Sequence, residues 1–160
     1  PLNPSVLQAE LMKLDDPSGP NPKNKQETAQ AWFNAWWKYA QNMTYLIPGG
    51  GGKALVESSF KGILVGGLEP IPIPLPFFLA LGAAMMAAWG TLGTPVTLTP
   101  PILSLIPQPI PFGPLGVVVV PIGLVSSDKQ VPRAMLATLI HTWTITAQAV
   151  GPVGPIGPIS

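Results

Sequence analysis

The 160-residue sequence predicts a mainly α fold: a small helical body of about four to five helices, with long Pro-rich extended apolar segments and an extended C-terminal tail. Two observations predict the helices and one predicts the extended segments. Apolar residues recur at spacings of three and four in several separate stretches, and each stretch is bounded by Asn-Pro, Gly or Pro punctuation. Against this, residues 70–127 carry no Asp, Glu, Lys or Arg over fifty-eight positions, twelve of which are proline. Charged residues make up only 9% of the chain, where a soluble domain normally devotes about a quarter. The length suits one domain. It divides into a helical part at 1–69, the uncharged Pro-rich region at 70–127, a C-terminal helix within 128–150 and an extended Pro/Gly tail at 151–160.

Asn3-Pro4 opens the first helix, with Asn as N-cap and Pro at the first helical position. Val6, Leu7, Leu11 and Leu14 give it a short apolar stripe that ends at Asp15-Asp16 and Pro17. A turn-rich loop follows, and Asn21-Pro22 repeats the cap pattern to open a helix over 23–46. Ala29, Trp32, Phe33, Trp36, Trp37, Ala40 and Met43 form its apolar face, and Pro48 with the glycines at 49–52 ends it. A third helix is expected over 53–65, with Val56, Phe60, Ile63 and Leu64 on one side and Lys53, Glu57 and Lys61 on the other. Gly66-Gly67 stops it.

Proline at every second position from 70 to 76 predicts a polyproline-type strut, since each Pro fixes its own φ and extends its predecessor. Residues 77–93, rich in Ala, Leu and Met and free of proline, predict a buried helix. From 94 to 122 the chain reads as extended and irregular, with a short strand at 117–120 where four valines run together. Ser126-Ser127-Asp128 opens a last helix over 129–150, with a stripe of Val131, Met135, Leu139, Ile140, Trp143 and Ala147. Three Gly-Pro-X triplets close the chain; they are too few for a collagen helix and predict an extended tail.

Composition narrows the function classes. Net charge is +1 with scattered basic residues, which offers no nucleic-acid footprint. There is no cysteine, so a disulfide framework or a thiolate metal site is excluded. The N-terminal residues show no signal-peptide pattern, and Pro1 suits a trimmed initiator Met, so cytoplasmic synthesis is expected. His141 is the only histidine and has no carboxylate nearby in sequence, so it is expected at a helix surface or interface rather than as a base or ligand. Asp15-Asp16 lacks the spacing of a cation loop. Gly49 to Gly52 followed by Lys53 lacks the Ser or Thr and the preceding strand of a phosphate loop. No hydrolase, zinc-protease or dinucleotide motif is present, and the expectation is a non-enzyme with no catalytic, cofactor-binding or metal residues.

An uncharged, pre-extended chain suits docking on other protein, because it loses little entropy on binding and brings no charge to desolvate. Trp36 and Trp37 are adjacent and cannot both enter one small core, so one is expected to face a neighbour. The expected interface set is Trp36, Trp37, Pro72, Pro74, Ile102, Leu105, Ile110, Phe112, Val153 and Ile156. Two other readings are a membrane-inserting or pore-forming protein using 77–93, which lacks basic flanks, and a Pro-rich adaptor ligand, which lacks a nearby basic anchor.

Three segments then carry a resemblance in order: Pro-Leu-Asn-Pro-Ser at 1–5, Ala-Trp-Phe-Asn-Ala-Trp-Trp-Lys-Tyr-Ala at 31–40, and Ala-Leu-Val-Glu-Ser-Ser-Phe-Lys-Gly-Ile at 54–63. With the uncharged region, late helix and Pro-rich tail behind them, the whole length resembles small, low-charge structural proteins of contractile-tailed, T4-like bacteriophages of aquatic hosts. The resemblance implies a virion component made in the host cytoplasm. Tail or baseplate is the first placement and capsid decoration the second. It also implies neighbouring virion proteins and copies of the chain itself as partners, with no nucleic acid and no cofactor.

Overall fold

The computed structural model describes residues 2–14, 24–43, 53–67, 74–92, 104–106, 130–152 and 154–159. Within them lie five helices and a three-stranded sheet, and the mainly α expectation holds. The expected loop at 17–22, the glycines at 49–52 and the strand at 117–120 lie outside the described residues, as does all of 94–122 except 104–106.

Helix α1 (Pro4–Lys13) begins as its sequence dictates. The Asn3 side chain accepts a hydrogen bond from the Ser5 backbone N–H at 2.9 Å, and Pro4 fills the first turn, where its missing N–H costs nothing. Leu7 and Leu11, one turn apart, are buried together with Leu2.

Helix α2 (Lys25–Ala40) starts later and stops sooner than the expected 23–46. Its N-cap is Asn24, whose side chain accepts from the Glu27 N–H at 2.9 Å. Asn24 to Glu27 has the spacing of a capping box, a stronger start signal than Asn21-Pro22. At the other end the Asn42 amide donates to the Lys38 carbonyl at 2.8 Å, taking up an end carbonyl that another helical turn would have used. The chain turns there, with Met43 still buried.

Helix α3 (Lys53–Gly67) runs through Gly66 and Gly67 rather than stopping before them. Val56, Phe60 and Leu64, spaced by four, carry its burial, whereas Ile63 lies outside that line and is exposed. Glu57 and Lys61 pair at 3.8 Å as their spacing predicts, and Lys61 also donates to Gln30 of α2.

Helix α4 (Pro74–Leu92) takes in the last three residues of the expected strut, whose first four, 70–73, lie outside the described residues. Pro74 and Pro76 lie in the first turn of the helix, where backbone N–H groups have no intrahelical acceptor to lose. Alternating proline therefore ends in a helix start. Leu81, Ala84, Met85, Ala88, Trp89 and Leu92 are buried at helical spacing, while Leu79 is 40% exposed and Gly90 is exposed. Packing makes this helix two-sided although its composition is apolar all round.

Helix α5 (Gln130–Thr144) ends six residues before the expected 150. Thr142, Thr144, Ile145 and Thr146 crowd β-branched side chains at its end, and the Thr144 and Thr146 hydroxyls bond back to the Ile140 and Trp143 carbonyls. A tight turn follows, then strand β2 (Gln148–Gly151), flanked by β1 (Ser104–Ile106) and β3 (Gly154–Pro158) in the order β1-β2-β3, both pairings antiparallel. The tail is thus extended, but as a paired strand. Gly154 and Gly157 hold φ of 126° and 153°, a region open to glycine, and the ladder shifts register between Ala149 and Val150. Beyond β3, the Ile159 N–H donates to the Ala147 carbonyl at 3.0 Å and its side chain is buried.

α1 lies against α2 and α5, α2 against α3, α3 against α4, and α4 against β1. One apolar core runs through all five helices and takes in Ala147, Ala149 and Ile159. Asn24→Ala removes the cap of the helix that joins these layers. Its expected cost is about 1 kcal/mol, read in a thermal melt as a Tm lower by about 2–4 °C.

Candidate interface and aromatic core

The aromatic side chains of α2 are distributed by helix geometry. Trp32 and Trp36 are four apart and reach different partners. Trp36, only 2% exposed, stacks on Phe60 of α3 at 5.4 Å and meets Trp89 of α4 edge-on at 5.4 Å and 78°. Phe33 meets the same Phe60 edge-on at 5.5 Å. Trp32 contacts Phe77 of α4 edge-on at 5.0 Å, and the guanidinium of Arg133, the chain's only arginine, lies 5.2 Å from the Trp32 ring centre. The indole N–H groups of Trp36 and Trp89 are buried without a hydrogen-bond acceptor.

This geometry sorts the ten expected interface residues. Trp36 is a core residue and has no surface to offer a neighbour, which corrects that expectation. The ring stacked on Phe60 already fills the gap between three helices. Trp37 is half-buried and stacks on Phe33 at 5.8 Å and 19°. It shares the outer face of α2 with Asn34 and Gln41. Pro74 heads α4, Leu105 is in β1 and Ile156 in β3. Pro72, Ile102, Ile110, Phe112 and Val153 lie outside the described residues.

Exposed apolar groups occur where the sequence reading placed none. Leu55 is 66% exposed, and Ile63, Leu79 and Ile145 are also exposed. Leu55, Ser58, Gly62 and Gly66 follow one outer line of α3 without a charge, and a Cβ added at Gly62 or Gly66 would meet open space. The available signal was the four-residue spacing of those glycines inside an amphipathic helix.

The described part of the chain brings one pair of titratable groups into direct contact across helices without an ion pair. The Tyr39 hydroxyl of α2 is 2.8 Å from Nδ1 of His141 on α5, with the rings edge-on. Burial pushes the Tyr39 phenol above its ordinary value, and a hydrogen bond with Thr144 acts the other way. Burial holds the His141 imidazole below its ordinary value. Both groups are therefore neutral at pH 7. Sequence reasoning placed His141 at a surface or interface but missed Tyr39, because the partner is more than one hundred residues away and no spacing rule reaches it. Among the described residues no three of His, Cys, Asp and Glu come together as a metal site would need. Comparison with protein families, with curated proteins and with solved structures returns no match.

Two outcomes follow from burial. Trp36→Ala is expected to cost about 3–5 kcal/mol, whereas Trp37→Ala, at the half-exposed position, costs less than about 2 kcal/mol; urea unfolding of the two variants distinguishes them. For His141, a lowered folded pKa means that its contribution to stability is complete above the ordinary imidazole value and is lost as pH falls through the folded one. A Tm series from pH 8 to pH 4 should show the wild type losing stability relative to His141→Gln as the solution is acidified, with no such divergence above pH 7.

Proposed function

We propose that the chain is a non-enzymatic structural subunit of a large multi-protein particle, docking on its neighbours through proline-rich apolar segments. The observation that carries this reading is the charge-free run at 70–127, fifty-eight residues of which twelve are proline. The described helices close their aromatic core among themselves, with Trp36, Phe60 and Trp89 nearly inaccessible. Of the charge-free run at 70–127, the described residues 74–92 and 104–106 form α4 and β1. The remainder keeps most of the prolines and still carries Ile102, Ile110 and Phe112. The outer line of α3 supports the same reading: a glycine in a helix interior, as at Gly62, costs about 1 kcal/mol relative to alanine, and no described residue lies within 4 Å of a Cβ built at Gly62 or Gly66. The resemblance in composition and segment order supports a contractile-tailed bacteriophage as the particle, with tail or baseplate as the first placement and capsid decoration as the second.

The membrane-inserting alternative rests on α4. No described helix is long and apolar enough to cross a membrane. The buried face of α4 is already turned toward Phe60 and Trp36 through Trp89.

The test is the assembly state of the purified full-length chain by light scattering and electron microscopy. The reading expects rings, shells or higher oligomers. A double substitution, Ile110→Asp with Phe112→Asp, should weaken association more than about tenfold while leaving the Tm of the helical body unchanged. A wild-type chain that stays monomeric at high concentration overturns the reading. Sedimentation with lipid vesicles would move it to the membrane alternative.

A further inference from the structure

Tyr39 and His141 meet at the last turns of their helices, with 2.8 Å between the phenol oxygen and Nδ1. Both groups are neutral at pH 7, so a single proton lies between the two atoms. A phenol O–H is a stronger donor than a neutral imidazole N–H, and an imidazole nitrogen is a stronger acceptor than a phenol oxygen. Both preferences make Tyr39 the donor. Burial adds a third reason: Tyr39 is 0% exposed, so an O–H turned away from Nδ1 has no solvent to bond.

We infer that this contact is an acid-operated latch: Tyr39 donates to Nδ1, His141 is held as the Nε2–H tautomer, and a proton added to the ring displaces the bond that ties α5 to α2. The neutral Nε2–H ring has one unprotonated nitrogen, Nδ1, and Tyr39 occupies it. Acid must therefore place its proton at the contact itself, where it meets the phenol O–H as a second donor. Either the rings part or the buried phenol gives up its acceptor, and each outcome loosens the seam. His141 is half-buried, which leaves its ring a route to solvent protons.

The other tie between these helices does not titrate. Arg133 lies over Trp32 at 5.2 Å, about two turns before His141 on α5 and before Tyr39 on α2. A guanidinium keeps its charge at every working pH. Acid thus acts on one end of the seam, the end from which the chain passes into β2. Among the described residues, the other charges close to this end stand on α1 and α2: Glu10 pairs with Lys13 at 2.9 Å and with Lys38 at 3.6 Å. Lys38 directly precedes Tyr39, so Glu10→Gln serves as the control for that pair. Lys25 and Glu27 stand at the far end of α2, and strand β2 has no ionisable side chain.

Nitrogen-15 NMR of the uniformly labelled full-length protein reads the tautomer and the titration of its single imidazole. Near neutral pH the wild type should carry its ring proton on Nε2. Tyr39→Phe removes the bond to the neutral ring and should raise the ring's proton affinity by about threefold or more, with a cooperative melt confirming the fold. Below the titration midpoint, hydrogen-exchange protection in the last turn of α5 should fall by about threefold or more relative to α3, in the wild type and in Glu10→Gln alike. A wild type dominated by Nδ1–H overturns the latch. So does a Tyr39→Phe protein whose imidazole titrates as in the wild type, because burial alone acts with or without the phenol hydroxyl. Protection of α5 that is unchanged through the midpoint, or whose loss disappears in Glu10→Gln, overturns it as well.

Discussion

The indole of Trp36 is the contact on which the arrangement of helices depends. It stands where α2, α3 and α4 meet, flat against Phe60 and edge-on to Trp89. A rigid ring with two different neighbours fixes two interhelical distances at once, and neither partner can shift without opening a gap. The last helix is held to the same α2 by other means, a cation over Trp32 and a hydroxyl against His141. The Trp36 and Trp89 N–H groups find no acceptor. Such a loss costs about 1–3 kcal/mol per donor, and it stands against the ring contacts of Trp36 with Phe33, Trp37, Phe60 and Trp89. The core is therefore specified by shape more than by hydrogen bonding.

Proline does opposite work in different places of this chain, and position decides which. Pro4, Pro74 and Pro76 stand in the first turns of helices, where the missing amide proton is no loss and the fixed φ is already helical. Pro155 and Pro158 stand in an outer strand. Because no charge is present from 70 to 127, α4 has no charged side chain to mark its outward face. Its orientation comes from Trp89, Met85 and Leu81 fitting the aromatic seam, while Leu79 remains outside.

The mainly helical class, the cap of α1 and the burial line Val56, Phe60 and Leu64 were legible in the sequence, because each follows from spacing within one element. The boundaries failed where a side chain competes with the backbone: Asn42 at the end of α2, Thr144 and Thr146 at the end of α5. The prolines at 74 and 76 misled because local stiffness says nothing about whether a helix begins at the third of the alternating prolines or after the last of them. Trp36 and Trp37 read alike in sequence, and only the positions of Phe60 and Trp89, brought in from other helices, separate the buried ring from the half-exposed one. Tyr39 with His141 was beyond reach for the same reason, a contact made by topology between distant stretches of chain.

The Gly-Pro repeat of β3 settles how the small sheet ends. Two of its five residues have no amide proton to donate, and two glycines hold a backbone that other residues avoid, so the open border offers a further strand few donors and an uneven outline. Copies of this chain brought to high local concentration are therefore discouraged from adding strand to strand and growing into fibres.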